Sequence, residues 1–128
     1  MKKVILITGA TSGIGYETAA YLANQGNIVY GAGRRVENLE GLKKVKPIQL
    51  DMTDESSMQL VVDTIIETEG RFDVLVNNAG YGSYGAIEDV TIEEAKQQFE
   101  VNVFGLARLT QLVLPHMREQ RSGRIINT

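Results

Sequence analysis

The stretch Val4–Gly15, VILITGATSGIG, decides the fold of this chain. Its first four residues are apolar and mostly β-branched, which is typical of a strand buried on both faces of a parallel sheet. Glycines follow at positions 9, 13 and 15. A helical pattern begins directly after them and places on one face Ile14, Thr18, Ala19, Leu22 and Ala23. The stretch therefore predicts a buried strand, a glycine-rich turn and a helix.

This order of elements is the context in which a glycine motif binds a dinucleotide. Gly9 lets the chain turn sharply, Gly13 lets the backbone approach a pyrophosphate, and Gly15 permits close packing of the helix on the strand. The N–H groups and the positive dipole end of the new helix would then face the phosphates. The alternative is a glycine-rich connection without a ligand. The strand and helix patterns on either side favour the dinucleotide site.

The composition is that of an ordinary globular chain and argues against several classes of function. The chain has 128 residues, 43% of them hydrophobic, and a net charge of −3. It has no basic stripe of the kind that binds nucleic acid, and no apolar segment approaches the length of a membrane span. The absence of cysteine excludes disulfides and thiolate metal sites and fits a reducing compartment. We therefore expect a cytoplasmic protein that binds neither nucleic acid nor membranes.

Helical patterns and short apolar runs alternate along the chain, which predicts an α/β fold with a doubly wound parallel sheet. Strands are expected at residues 3–8, 28–33, 47–51, 73–77 and 124–128. Helices are expected at residues 14–25, 36–42, 55–69 and 92–119. Right-handed crossovers and a reversal after the third strand give the strand order 3-2-1-4-5. Residues 1–128 then form one dinucleotide-binding domain, with its cleft at the carboxyl ends of strands 1 and 4.

Capping residues and apolar faces support the two longest helices. Thr53 or Asp54 caps the helix at 55–69, and Thr91 begins a capping box with Glu94. The helix at 55–69 is expected to bury Met58, Val61, Val62, Ile65 and Ile66. The helix at 92–119 presents a broad apolar face made of Phe99, Val103, Leu106, Leu109, Leu112 and Val113. Both helices are therefore expected to pack on the sheet.

The end of the second strand indicates which cofactor is preferred. An NAD site usually carries Asp or Glu there, to accept hydrogen bonds from the ribose 2′-OH, but this strand ends in Gly33-Arg34-Arg35. A guanidinium can bind a 2′-phosphate through two parallel hydrogen bonds, whereas a carboxylate would repel it. The pattern favours NADP(H), with Arg34 as the first candidate contact and Arg35 as the second. The alternative is two solvated arginines at the end of a strand.

Two motifs together resemble the short-chain dehydrogenase/reductase family. One is the T-G-x-x-x-G-x-G spacing of Thr8–Gly15, and the other is N-N-A-G at Asn77–Gly80. The resemblance implies an oxidoreductase that moves hydride between a nicotinamide and a carbonyl or secondary alcohol. The arginine after the missing acid is what marks the family's NADP-preferring type. The implied cofactor contacts are Gly9, Thr11, Ser12, Gly13, Ile14, Gly15, Arg34, Arg35, Asp51, Met52, Asn78, Ala79, Gly80 and Val101.

The resemblance also assigns roles around the third and fourth strands. Asp51 would accept a hydrogen bond from the adenine amino group, although from its position alone it reads better as a turn or cap residue. Asn77 would stabilise the central sheet, and Asn78–Gly80 would line the adenosine ribose. An Asn-Gly turn is the alternative, but it predicts a hairpin, which the helix beginning after Thr91 makes improbable.

Asn102 is the candidate catalytic residue. Asn is a poor helix former that seeks local hydrogen bonds, yet it lies inside the predicted helix 92–119. Residues 101–105, VNVFG, resemble the family segment in which an asparagine kinks the helix and supports a water in a proton relay. A lone helical Asn would otherwise be read as a surface residue. The roles of Tyr81 and Tyr84 stay open, since their loop either lines a substrate pocket or covers the core.

The rest of the family's catalytic set is absent. None of the tyrosines, at positions 16, 21, 30, 81 and 84, has Lys four residues later, and the chain stops at a strand that in the family leads into the catalytic serine. We therefore expect a truncated chain, the front half of the family's domain, without turnover by itself. A nucleotide-binding module or sensor without catalysis is the alternative. The uncovered fifth strand and long helix predict a homo-oligomer.

Overall fold

The computed structural model describes residues 2–83 and 85–128, and these form a five-stranded parallel sheet in the order β3-β2-β1-β4-β5. The strands are β1 (Val4–Thr8), β2 (Ile28–Gly33), β3 (Val45–Gln49), β4 (Val74–Asn77) and β5 (Arg124–Asn127). The helices are α1 (Gly13–Asn24), α2 (Glu55–Glu69), α3 (Ile92–Phe99) and α4 (Leu106–Gln120). The predicted doubly wound α/β fold and its strand order are confirmed.

The central strand β1 divides its side chains between the two layers of the core. Every residue of β1 is buried. Val4 and Leu6 pack in the cluster covered by α2 and α4, whereas Ile5 and Ile7 pack in the cluster covered by α1. Successive side chains of a strand point to opposite faces, so a strand that is covered on both sides must be apolar throughout. This is the physical reason why the apolar run at residues 4–7 predicted the centre of the sheet.

Helix α1 packs closer to the sheet than its apolar pattern predicted. Its buried residues are Gly15, Ala19 and Ala23, which are spaced one turn apart, whereas the Ile14 side chain is 75% exposed. The prediction that Ile14 belongs to the packed face was therefore wrong. The helix approaches through its smallest residues, and Ile14 lies beside that face rather than on it.

The helix predicted at 92–119 is helical from Ile92 to Gln120, but a π-helical turn at Glu100–Gly105 separates α3 from α4. Gly105 packs against α2's leading loop, where an added Cβ would lie 2.5 Å from the carbonyl oxygen of Met52. A π turn rotates the helix faces on its two sides relative to each other. Leu109 and Val113 are therefore buried, while the side chains of Phe99 and Val103, predicted on the same face, are 57% and 46% exposed.

The remaining boundaries differ little from expectation. The short helix predicted at 36–42 is a 3₁₀ turn at Val36–Leu39, and β3 begins and ends two residues earlier than predicted, since Val45 pairs with Val29 of β2. Asp54 caps α2 by accepting hydrogen bonds from the N–H groups of Ser56 and Ser57. At the start of α3 the Thr91 hydroxyl accepts from the Glu94 N–H at 3.1 Å, so the hydroxyl side of the predicted capping box is formed.

The buried carboxylate of Asp73, directly before β4, is hydrogen-bonded to the first residue of β1, at the amino ends of the two strands. The Asp73 side chain is 3% exposed and accepts hydrogen bonds from the Val4 N–H at 2.8 Å and from Arg71 Nη2 at 2.7 Å. Burial raises the pKa of Asp73, but the hydrogen bonds from Arg71 and Val4 and the nearby positive charges outweigh it, so the pKa lies below its ordinary value. The ionised form therefore stabilises the fold.

Replacing Asp73 with Asn is expected to lower the free energy of unfolding at pH 7 by roughly 2 kcal/mol, because a charge-assisted pair is lost. Since folding depresses this pKa, the stabilisation is complete above a pH of about 4 and is lost as pH falls through the folded-state pKa. Urea denaturation at pH 7 and at lower pH measures the difference. Asp63→Asn, at an exposed site on α2, is the control, and equal losses in both variants would contradict the assignment.

Candidate cofactor site

A cleft of about 700 Å³ opens at the carboxyl ends of β1 and β4, where the strand order reverses. Loops that follow the first four strands form most of its walls, and the start of the α3–α4 helical segment closes one side. Its lining residues are Thr8, Gly9, Thr11, Ser12, Ala32, Gly33, Arg34, Leu50, Asp51, Met52, Thr53, Asn78, Ala79, Gly80, Tyr81, Gln97 and Val101. In open α/β sheets this is the position at which ligands bind.

The glycine-rich turn contributes Gly9, Thr11 and Ser12 to the lining of the cleft, and its conformation requires glycine. Gly9 and Gly13 have φ angles of +64° and +57°, in the left-handed region that other residues rarely adopt. Gly15 is needed for a different reason, since an added Cβ would overlap the Gly9 carbonyl and lie 2.5 Å from Asn78 Nδ2. Ser12 precedes α1 and makes no side-chain capping bond with the described residues. The first N–H groups of α1 are therefore not satisfied by a side-chain cap.

The buried hydroxyl of Thr8 joins the glycine turn to the N-N-A-G loop. Thr8 Oγ1 accepts hydrogen bonds from the backbone N–H groups of Asn78 at 3.0 Å and Ala79 at 2.9 Å, and Thr8 is 1% exposed. Asn78 Nδ2 also donates to the Gly9 carbonyl at 3.2 Å. The two loops are therefore held as one rigid unit. Thr8 was not predicted as a site residue, although its place at the head of the T-G-x-x-x-G-x-G motif was a usable signal.

Replacing Thr8 with Val is expected to lower the free energy of unfolding by about 2 kcal/mol, because two buried N–H groups lose their acceptor while the side-chain volume is kept. Thr8→Ser keeps the hydroxyl and should lose less than half as much. Chemical denaturation of both variants measures this. A Val variant as stable as the Ser variant would show that the hydroxyl does not hold the loops together.

The Asn77 side chain links β4 to helix α4 and to strand β5. Its Nδ2 donates to Thr110 Oγ1 of α4 at 3.2 Å and to Asn127 Oδ1 of β5 at 2.9 Å, and the residue is 3% exposed. Its Oδ1 has no hydrogen-bond partner among the described residues. The side chain therefore connects β4 to α4 and to β5, a position compatible with the stabilising role that the resemblance implied.

Arg34 follows the last residue of β2 and borders the main cleft and two neighbouring hollows. It borders the main cleft, and together with Thr11 and Arg35 it borders a neighbouring hollow of about 520 Å³. Gly33 makes this approach possible, since a Cβ there would lie 2.5 Å from Thr11 Cγ2. Arg35 lines the hollow and is not among the residues that line the cleft. Of the two predicted arginines, Arg34 is therefore the one placed beside both the glycine turn and the cleft.

Asp51 is the only carboxylate among the described residues that line the cleft. Its Oδ1 accepts hydrogen bonds from the Thr53 hydroxyl at 2.7 Å and the Thr53 N–H at 2.9 Å. These two bonds, with a smaller contribution from the Arg34 guanidinium, hold the pKa of Asp51 below its ordinary value. Asp51 is thus a turn residue, as its position alone suggested, and it also borders the cleft. The two interpretations are compatible.

Asn102 contacts the loop that follows N-N-A-G. Its Oδ1 accepts from the Tyr81 N–H at 3.1 Å, and its Nδ2 donates to the Tyr81 carbonyl at 2.6 Å. Gly80 allows this approach, since an added Cβ would lie 3.0 Å from Asn102 Oδ1. Asn102 lies in the π turn and is half-buried, so it is not a solvated surface residue. Asn102 does not line the cleft itself, but it binds Tyr81, which does. Tyr84, whose role the sequence left open, lies outside the described residues.

The structure brings most of the predicted contacts to one place. The exceptions are Gly13, Ile14, Gly15 and Arg35, which adjoin the cleft without lining it. Tyr81, whose role the sequence left open, also lines the cleft, and the lining residues that the sequence did not predict are Thr8, Ala32, Gly33, Leu50, Thr53 and Gln97. Most of them neighbour a predicted residue in sequence, and only Gln97, from α3, had no local signal. Within the described residues no group of His, Cys, Asp and Glu could hold a metal ion, and none of their helices is long and apolar enough to span a bilayer.

The comparisons with known proteins agree on one family. The family model for short chain dehydrogenase matches residues 3–128. The 3-ketodihydrosphingosine reductase of Bacteroides thetaiotaomicron is 46% identical over 125 residues, which are 98% of this chain and 46% of that protein. A short-chain dehydrogenase structure from Streptomyces avermitilis has a TM-score of 0.93 at 43% identity, covering 98% of this chain and 48% of that one.

A second solved structure carries a cofactor derivative. It is an alcohol dehydrogenase from the archaeon Thermococcus sibiricus complexed with 5-hydroxy-NADP, with a TM-score of 0.89 at 29% identity, covering 98% of this chain and 57% of that one. The chain thus spans about half the length of the proteins it matches. The resemblance inferred from the glycine and N-N-A-G motifs is confirmed, and the chain belongs to the short-chain dehydrogenase family.

Proposed function

We propose that this chain binds NADP(H) and serves as the cofactor-binding part of an oxidoreductase that acts on a small carbonyl compound or a secondary alcohol. The observation that carries the proposal is the position of Arg34, which borders both the cleft and the hollow beside Thr11. No acidic residue stands at the end of β2, where an NAD site would have one. A guanidinium at this point provides the charge and the paired donors that a 2′-phosphate needs.

The cradle around the glycine turn fits a dinucleotide. A Cβ on Gly15 would collide with the Gly9 carbonyl and with Asn78 Nδ2, so only glycine permits the turn and the Asn78 loop to lie this close together. The diphosphate would lie against the first N–H groups of α1, where the helix dipole favours negative charge. We assign the ribose to Asn78–Gly80 with Val101, and the adenine to Asp51 and Met52. The solved relative that holds 5-hydroxy-NADP supports the choice of cofactor.

The bound cofactor would supply or accept a hydride at its nicotinamide ring. What this chain contributes is the binding and orientation of the dinucleotide. Asn102 binds the Tyr81 backbone through two hydrogen bonds, and we propose that it supports a water in the proton relay of the full enzyme. The serine, tyrosine and lysine expected of the family do not occur at matching positions in these 128 residues. We therefore propose that the chain has no turnover by itself.

A carbonyl substrate is supported by the Bacteroides relative, whose name describes the reductase of a ketone. A nucleotide-binding module without catalysis is the second candidate, and the missing Tyr-x-x-x-Lys favours it for the 128-residue chain. NADPH oxidation with a panel of aldehydes and ketones tests the absence of turnover, because activity above a mock-purified blank would contradict it and would exclude the module. A cytoplasmic location and self-association through the exposed β5 edge or the α3–α4 face belong to the same proposal. Sedimentation at micromolar concentration tests the self-association.

The proposal is tested by equilibrium titration of the chain with NADP⁺ and with NAD⁺ at one ionic strength. We expect NADP⁺ to bind at least about tenfold more tightly, since a charge-assisted contact to the 2′-phosphate contributes about 1.5–3 kcal/mol. Tighter binding of NAD⁺ would contradict the role of Arg34. Binding of neither dinucleotide at millimolar concentration would contradict the site as a whole.

A further inference from the structure

Two amide side chains on one side of the α3–α4 helical segment bind the backbone of the loop Tyr81–Ser83. Asn102 accepts from the Tyr81 N–H and donates to the Tyr81 carbonyl. Gln98, one helical turn earlier, accepts from the Ser83 N–H through Oε1 at 3.1 Å. Gln98 is half-buried, and neither the sequence motifs nor the family resemblance gives it a role.

The spacing of the two amides matches the spacing of the groups they bind. Residues four apart on a helix lie on one face and are separated by about 6 Å along its axis. N–H groups two residues apart in an extended segment point the same way and are separated by about 6.6 Å. Gln98 and Asn102 therefore bind the backbone at two alternate residues of the loop, Ser83 and Tyr81.

The composition of the loop makes it costly to order. Gly80 and Gly82 flank Tyr81, and glycine loses more conformational entropy on ordering than any other residue. Residues 81–83 belong to no helix or strand. Tyr81 nevertheless lines the cofactor cleft, so the conformation of the loop determines whether the cleft has this wall.

We propose that Gln98 is a positioning residue which, together with Asn102, clamps the loop Tyr81–Ser83 against the helical segment and thereby preforms one wall of the cofactor cleft. Gln98 does not touch the cofactor in this account. It acts through Ser83, and its effect on binding is the energy that would otherwise be spent on ordering the loop. This effect on the cofactor rests on the proposed function, whereas the clamp itself does not.

The test uses three variants of the 128-residue chain. Gln98→Met removes the acceptor and keeps the length of the side chain, and Gln98→Glu keeps an acceptor at the same place. Gln111→Met is the matched control, because Gln111 is an exposed residue of α4 remote from the loop. Amide hydrogen exchange measured by NMR reports on Ser83 directly, and titration with NADP⁺ reports on the cleft.

In Gln98→Met we expect the Ser83 amide to exchange about fivefold faster and the Kd for NADP⁺ to rise about threefold, as the loss of one exposed hydrogen bond allows. Gln98→Glu should restore both values to within about twofold, and Gln111→Met should change neither. Unchanged Ser83 exchange in Gln98→Met would overturn the clamp. Faster exchange with an unchanged Kd would overturn the link to the cleft. If the unmodified chain binds no NADP⁺, the proposed function fails, and the exchange data still decide the clamp.

Discussion

Replacing Gly15 with Ala is expected to abolish measurable NADP(H) binding and to lower the free energy of unfolding by about 3 kcal/mol. The added Cβ would overlap the Gly9 carbonyl and lie 2.5 Å from Asn78 Nδ2, and neither group can move away cheaply. The Gly9 carbonyl belongs to the backbone of a tight turn that Gly9 enters at φ +64°, and the Asn78 loop is held in place by the buried Thr8 hydroxyl. The added methyl group would therefore push apart the glycine turn and the Asn78 loop, which meet beside the cleft.

The control for this experiment is Gly41→Ala. An added Cβ at Gly41 would lie 3.6 Å from the Tyr16 hydroxyl, which is an ordinary contact, and the site is away from the cleft. Thermal unfolding and NADP⁺ titration of both variants provide the comparison. We expect Gly41→Ala to change stability by less than about 1 kcal/mol. If Gly15→Ala behaved in the same way, the close approach of the two loops would not be what shapes the cleft.

Replacing Arg34 with Glu is expected to reverse the cofactor preference. The affinity for NADP⁺ should fall about 100-fold, because the variant loses a guanidinium–phosphate contact and adds repulsion. The affinity for NAD⁺ should stay within about threefold or improve, since a carboxylate at this point can accept hydrogen bonds from the ribose hydroxyls. Parallel titrations with the two dinucleotides measure the change.

Arg118→Glu is the charge-matched control for the Arg34 variant. Arg118 is an exposed residue in the last turn of α4, so its substitution changes the net charge equally without touching the cleft. Raising the salt concentration should weaken NADP⁺ binding to the unmodified chain more than NAD⁺ binding. Equal losses in the two charge-reversed variants would mean that Arg34 acts only through the overall field of the protein.

The fold was predictable from the sequence wherever burial alone determines the pattern. The apolar run at 4–7 is covered on both faces, and α2 buries Met58, Val61, Val62 and Ile65 in the expected positions. The resemblance implied a kink near Asn102, but no local pattern indicated a π turn in which Gly105 lies against the Met52 carbonyl, since these two residues are far apart in sequence. The exposure of Phe99 and Val103 follows from that same turn.

The site residues also fall into those that local sequence motifs indicated and those that depend on contacts between distant segments. Local motifs supplied the glycine turn, Arg34 and the N-N-A-G loop, because each motif is a short segment whose backbone shape requires particular residues. Thr8 begins the glycine motif and Gly33 precedes Arg34, but their roles depend on partners in another loop, Ala79 and Thr11. Gln97 and Gln98 come from a helix that folding brings to the cleft, and no spacing in the sequence indicates that approach.

The most direct test of the account is an NMR titration of the ¹⁵N-labelled chain with NADP⁺. We predict that the amide shifts concentrate at Gly9–Gly15, Arg34 and Asn78–Gly80, and that NAD⁺ produces the same changes except at Arg34 and Arg35. Shifts confined to the exposed apolar face around Phe99 and Phe104, or no shifts at millimolar NADP⁺, would contradict the claim that this cleft binds the phosphorylated dinucleotide.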